Sequence, residues 1–84
     1  MGVIKIGSTT CGPCKAATMK LDKLGIHYTD IDAYQDGIVE RYSIRNIPTI
    51  IKTDEDDNEL FRLVGGDCLK EEKLETLKWG WGSH

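Results

Sequence analysis

Cys11 and Cys14 stand three positions apart, with Gly12 and Pro13 between them, and Cys68 stands alone. That separation lets two sulfurs meet within a single helical turn. A thiolate at the first position can attack a disulfide, and the second thiol can then resolve the mixed disulfide that forms. Such a thiolate is favoured where a strand turns into a helix, because free N–H groups and the positive end of the helix dipole gather there. Thiols so placed have pKa values brought down from about 8.5 toward 7 or lower. The spacing therefore predicts thiol–disulfide exchange. Cys11 is expected ahead of the helix and exposed, and Cys14 one turn in and partly buried. Gly12 leaves room for the close approach of a partner chain. Pro13 suits the first helical position, where its missing N–H is not needed.

The same spacing is also half of a zinc site. Cys11, Cys14 and Cys68 with His27 or His84 would supply three sulfurs and a nitrogen, but structural zinc prefers a second closely spaced ligand pair. The chain has none, so no metal is expected. An unreactive buried pair is the other alternative, and the strand–Cys–Gly–Pro–Cys–helix context argues for redox chemistry instead.

The pair needs a strand to deliver it and a helix to hold it. Val3-Ile4-Lys5-Ile6 is a β-branched run ending at Gly7-Ser8, and it predicts a strand. After the cysteine turn, Cys14, Ala17, Leu21 and Leu24 fall on one face of a helix. Gly25 is a left-handed helix stop, with Ile26 placed to close the end by an apolar contact. A second strand is expected over about Ile26 to Asp32, with Tyr28 and Ile31 its apolar members. Ile38, Val39 and Tyr42 make the stripe of a short helix. Thr49-Ile50-Ile51 predicts a third strand with Pro48 at its very start, where proline is tolerated. Leu60 to Val64 predicts a fourth, joined to the third by the polar turn Asp54 to Glu59. Gly65-Gly66 ends it, and a last helix runs to about Trp79. Leu69 and Leu74 have the spacing of a hydrophobic staple, and Leu74, Leu77 and Trp81 continue one face. The order is β-α-β-α-β-β-α, an α/β class with a four-stranded mixed sheet. Strands joined through a helix should lie parallel with a right-handed crossover, and the hairpin adds an antiparallel pair.

Composition narrows the setting. The chain has 84 residues, 39% apolar and 30% charged, and a net charge of −3. That is ordinary for one soluble globular domain over residues 1–84, and too apolar for disorder. Without a Lys/Arg cluster it lacks the basic face that nucleic acid requires. No apolar run is long enough to span a membrane, and the first residues lack a secretory leader's charged region and cleavage site. An odd cysteine count does not look like a disulfide framework. These features point to a small cytoplasmic domain, monomeric, whose cysteines do chemistry.

Cys11-Gly12-Pro13-Cys14-Lys15 is identical to the active-site run of thioredoxins. Tyr42-Ser43-Ile44-Arg45-Asn46-Ile47-Pro48-Thr49 resembles the thioredoxin segment that ends in Ile-cis-Pro-Thr, and Val64-Gly65 fits the same fold. The resemblance covers Val3 to Leu77. Other features resemble glutaredoxins: the chain lacks the usual N-terminal strand and helix of thioredoxins, Thr10 precedes the first cysteine, and Gly65-Gly66-Asp67 is similar to the segment that binds glutathione. The resemblance implies a minimal thioredoxin fold. It makes Cys11 the nucleophile and Cys14 the resolving thiol, forming a redox-active disulfide with no bound cofactor. It also makes Pro48 cis, packed by the active site, and turns the Ile47 backbone outward to pair with an extended substrate beside Thr49.

By the same resemblance the chain is a protein-disulfide reductase, a dithiol donor to target disulfides such as that of ribonucleotide reductase. Its reductant would be a thioredoxin-reductase-type flavoenzyme or glutathione. The rival classes are a glutathione-dependent glutaredoxin, a non-catalytic binding module of the same fold, and a metal or iron–sulfur binder using the same thiols. One position departs from the thioredoxin pattern: Lys5 stands where thioredoxins bury an Asp. Either Lys5 snorkels or pairs with a carboxylate, or it favours thiolate and alters the redox poise. Asp67 either receives the glutathione amino group or caps the last helix. Cys68 reads as a packed residue near a helix start, with a regulatory or glutathionylated thiol as the alternative. Lys15 adds positive charge beside Cys14. Asp54, Glu55, Asp56, Asp57 and Glu59 read as a solvated loop rather than a calcium site. His27 is expected on a strand face, Met19 in packing, and Trp79 and Trp81 over the core. Gly82-Ser83-His84 receives no role.

Overall fold

In the computed structural model, which describes residues 2–79, the first strand β1 spans Gly2–Gly7. Its last three residues are all buried, as suits a central strand covered on both faces. Helix α1 covers Gly12–Lys23, strand β2 Thr29–Asp32, helix α2 Ile38–Tyr42, strand β3 Thr49–Thr53, strand β4 Glu59–Val64 and helix α3 Glu71–Trp79. The expected element order holds, with one addition: a 3₁₀ turn over Gly65–Leu69 separates β4 from α3. The four-stranded sheet runs β2-β1-β3-β4; β1 and β2 are parallel and the other neighbours antiparallel.

Local chemistry sets where the elements stop. Gly25, at φ 72°, ends α1 in the left-handed conformation that suits glycine. The Gly25 N–H donates to the Asp22 carbonyl at 3.1 Å, and the Ile26 N–H to the Leu21 carbonyl at 3.0 Å. This is the expected helix stop, with Ile26 and Leu21 packed in one cluster. It also corrects the start of β2: Ile26 is held by the helix end, so the strand begins at Thr29. His27 consequently lies outside the strand, exposed. The sequence pattern places α2 correctly but not its whole stripe. Ile38 is buried, whereas Val39 is 40% exposed, because this helix is a short piece between left-handed Gly37 and Ser43. At the other end, Lys70 precedes α3 in extended conformation, and Leu69 and Leu74 pack in one cluster as the staple predicts.

Each face of the sheet has its own core. Val3, Ala17, Leu21, Ile50, Leu63 and Leu74 pack between the sheet and helices α1 and α3. Ile6, Ala33, Ile38, Ile44 and Ile51 pack on the opposite face under α2. Each fully buried Leu or Ile contributes about 1.5–3 kcal/mol. Because strand side chains alternate, Lys5 shares the face of Val3 and points toward α1. Of the residues expected over the core, Leu74 and Leu77 are buried, while the Trp79 side chain and Trp81 lie outside the described residues. No described helix is long and apolar enough to cross a membrane.

The registers place the working end. Ile6 sits beside both Thr49 and Ile31, and Thr49 sits beside Val64. The loop leaving β1, the one entering β3 and the turn leaving β4 therefore meet at one end of the sheet. The first carries Cys11, the second Pro48 and the third Gly65.

Candidate active site

Cys11 is the N-cap of α1: its backbone is extended (φ −91°, ψ 119°) and its Sγ accepts the Cys14 N–H at 3.2 Å. A serine or aspartate oxygen usually fills that role, so the sulfur caps the helix it starts. The cap also aims an N–H at the atom that would carry a thiolate's charge. Cys11 is half-buried, and Gly12 and Pro13 are exposed. Gly12, not Pro13, is the first helical residue. A Cβ built on Gly12 would meet nothing within 4 Å among the described residues, so none of them requires a glycine there.

Cys14 is 1% exposed, more deeply buried than the sequence implies. Burial raises its thiol above the ordinary value, and a hydrogen bond with the Cys11 side chain adds to this. A backbone hydrogen bond at Ser8 and the charge of Lys5 pull the other way. Gly7 lies directly behind the sulfur. A Cβ there would stand 2.8 Å from Cys14 Sγ and 3.5 Å from Lys5 Nζ. Lys5 does not snorkel: it is 4% exposed, with Nζ 3.2 Å from Oδ1 of the exposed Asp30. An open cavity of about 580 Å³ lies on this side of Cys14, lined among others by Lys5, Lys15, Met19, Asp30 and Asp32. Met19, expected in packing, is 71% exposed at its edge.

The other wall is built from the β3 and β4 loops. The Ile47–Pro48 peptide is cis and Pro48 is buried. Its carbonyl accepts the Gly65 N–H at 2.9 Å and the Cys68 thiol at 3.3 Å. Gly65, at φ 60°, makes that turn in a region where side chains are strained. Thr49 is buried and donates through Oγ1 to the Asn46 carbonyl at 2.7 Å. Among the described residues, none donates to or accepts from the half-buried Ile47 backbone. Thr10 is exposed, its hydroxyl 3.0 Å from Ser8 Oγ.

Of the alternatives that the sequence leaves open, two are excluded. Asp67 does not cap the last helix: it lies inside the 3₁₀ turn, four residues before α3, and its carboxylate pairs with Lys70 Nζ at 3.3 Å. Cys68 is the packed residue that the sequence predicts, and the alternative of an activated thiol falls. It is fully buried, donates to the carbonyls of Pro48 and Leu63, and burial pushes it up to about 12. The acidic loop orders itself, with Asp54 Oδ1 accepting the N–H groups of Asp56 and Asn58. Among the described residues no three His, Cys, Asp or Glu side chains converge as a metal site would need; His84 lies outside them. Sequence reasoning missed Gly7, Asp30 and the support that Cys68 gives Pro48. A glycine closing a strand just before the cysteine turn was the one available signal.

Strand, capped dithiol turn and cis-proline loop together define a thiol–disulfide oxidoreductase of the thioredoxin fold. Residues 3–56 match the glutaredoxin family, and the chain belongs to it. That match stops short of Gly65-Gly66-Asp67. The chain is 27% identical over 78 residues to the SPbeta prophage-derived thioredoxin-like protein YosR of Bacillus subtilis, covering 92% of this chain and 94% of that one. The structure of the germline-specific thioredoxin Deadhead of Drosophila melanogaster is similar at a TM-score of 0.74 and 25% identity, covering 90% of this chain and 75% of that one. Thioredoxin 1 of Thermosipho africanus shares the fold, with a TM-score of 0.71 at 17% identity over 93% of this chain and 90% of that one.

Proposed function

We propose that this oxidoreductase reduces disulfides in other proteins through Cys11 and Cys14. The observation that carries the reading is the asymmetry of the pair: a half-buried cysteine at the helix cap and a fully buried one behind it. Cys11 attacks the target disulfide as a thiolate, forming a mixed disulfide and releasing one target thiolate. Cys14, after losing its proton, attacks Cys11 Sγ; the Cys11–Cys14 bond forms, the mixed disulfide breaks, and the second target thiolate leaves. Two electrons pass from the dithiol to the target. Ile47 offers its unpaired backbone to an extended substrate segment, and exposed Gly12 lets that segment approach. Targets are enzymes that form a disulfide each cycle, ribonucleotide reductase among them, and the setting is the reducing cytoplasm.

Two donors could restore the dithiol. The dithiol turn itself favours a flavoenzyme of the thioredoxin-reductase type, whereas membership of the glutaredoxin family favours glutathione. In the second case Gly65, Gly66 and Asp67 hold the tripeptide, and Asp67 must exchange Lys70 for its amino group. The test is reduction of insulin disulfides with each donor system separately. Turnover with at least one is expected; none with either, on a protein whose thiols titrate fully, would overturn the proposal.

A further inference from the structure

A lysine buried beside a thiol is the feature that the exchange chemistry leaves unexplained. Lys5 is 4% exposed, yet its partner Asp30 has a side chain 62% exposed. Desolvating an ammonium to meet a carboxylate that stays in water gives little stability. An apolar residue on this strand face would pack against α1 more cheaply. The position of the charge is the informative part. Lys5 Nζ and Cys14 Sγ lie 3.5 Å and 2.8 Å from one point, the Cβ that Gly7 lacks, so they are no farther apart than those two distances together. Both side chains line the same cavity. Asp30 takes one of the three ammonium donors, on the β2 side.

We propose that Lys5 is a positioning residue for the resolving step, holding a positive charge under Cys14 so that its thiolate can form in a buried site. This rests on the assignment of Cys14 as the resolving thiol. Resolution needs Cys14 to lose its proton where burial opposes the charged form. In the reverse direction, a donor thiol that attacks Cys11 of the disulfide expels Cys14 as thiolate, beside the same ammonium. Asp30 anchors Lys5 and weakens its field. The other titratable groups around the sulfur are Cys11 at the cap of α1, Lys15 on α1, Asp32 on β2 and Cys68 on the 3₁₀ turn.

The opposite signs of the pair make the test. With Cys11 and Cys68 replaced by Ser and Ala, Cys14 is the only thiol, and its thiolate absorbance can be followed against pH. At the separation above, partly offset by Asp30, the charge is worth about one pH unit. Lys5→Met should raise the midpoint by that amount, Lys5→Arg should hold it near the parent, and Asp30→Asn should lower it. In a Cys68→Ala background, Cys11 is loaded with thionitrobenzoate and release of the chromophore reads the resolving step. Lys5→Met should slow release about three- to fourfold below the midpoint, since the more basic thiolate is scarcer but more nucleophilic. If Lys5→Met does not fold, the Asp30→Asn midpoint decides alone. Unmoved midpoints, or Lys5→Met and Asp30→Asn shifting the same way, would overturn the proposal. Neither readout needs a protein substrate, so failure of insulin reduction alongside these shifts would count against the proposed function alone.

Discussion

Gly7→Ala is the perturbation whose size follows most directly from the geometry. The added methyl would sit 2.8 Å from Cys14 Sγ and 3.1 Å from Cys14 Cβ. Favourable contact begins near 3.5 Å, so the helix wall must yield by about 0.7 Å. Cys14 cannot swing aside cheaply: it is 1% exposed, and its N–H is tied to the Cys11 sulfur at 3.2 Å. Overpacking of this kind costs about 1–3 kcal/mol. In a domain of this size each kcal/mol lowers Tm by about 4–8 °C. The assay is thermal unfolding of the dithiol form, with Gly12→Ala as the control. A methyl at residue 12 meets nothing within 4 Å among the described residues, so that variant should unfold at or above the parent temperature while losing activity on protein disulfides. Gly7 is not in the left-handed region, so alanine there suffers no backbone strain and any loss reports the contact alone. A Gly7→Ala Tm equal to the parent, with the Cys14 titration unmoved, would refute the placement of Cys14 against β1.

Cys68 should resist alkylation in the native dithiol while Cys11 reacts, as mass spectrometry of the peptides will show. Because burial pushes Cys68 up to about 12, its stabilising effect is complete below the unfolded thiol value and declines as pH rises toward about 12. Over that window the loss is at most ~1.4 kcal/mol per pH unit, and Cys68→Ala should flatten the fall in urea midpoint above about pH 8.5. Arg62 holds the Glu59 carboxyl below its usual range through bonds of 2.7 and 2.6 Å. Its contribution is therefore present at neutral pH and lost on acidification through that lowered value, and Glu59→Gln should weaken the acid dependence of the urea midpoint. Gly25→Ala, at φ 72°, should cost about 1–2 kcal/mol in the same assay, and an unchanged midpoint would contradict the helix stop described above.

What the sequence showed and what it hid separate by the range of the interaction. Cys14, Ala17 and Leu21 could be placed on a buried face because helical spacing is local. Gly25 and Ile26 were legible for the same reason: a left-handed stop needs only neighbours in the chain. The start of β2 is not legible because Ile26 belongs to the helix end, a competition that composition does not reveal. The 3₁₀ turn is invisible in the sequence because Gly65 and Cys68 bond to the Pro48 carbonyl, about twenty positions back. Lys5 shows the limit most clearly. Its partner Asp30 is set by parallel register across a crossover. Only the fold decides that this lysine goes under a thiol instead of into water.

Trapping the exchange intermediate tests the central claim most directly. Cys14→Ser, incubated with a protein disulfide under native conditions, should accumulate a stable mixed disulfide through Cys11, located by peptide mass spectrometry. Cys11→Ser should accumulate none. An adduct on Cys68, or an adduct at Cys14 in Cys11→Ser that forms as fast, would contradict the assignment of Cys11 as the attacking sulfur and Cys14 as the one that resolves.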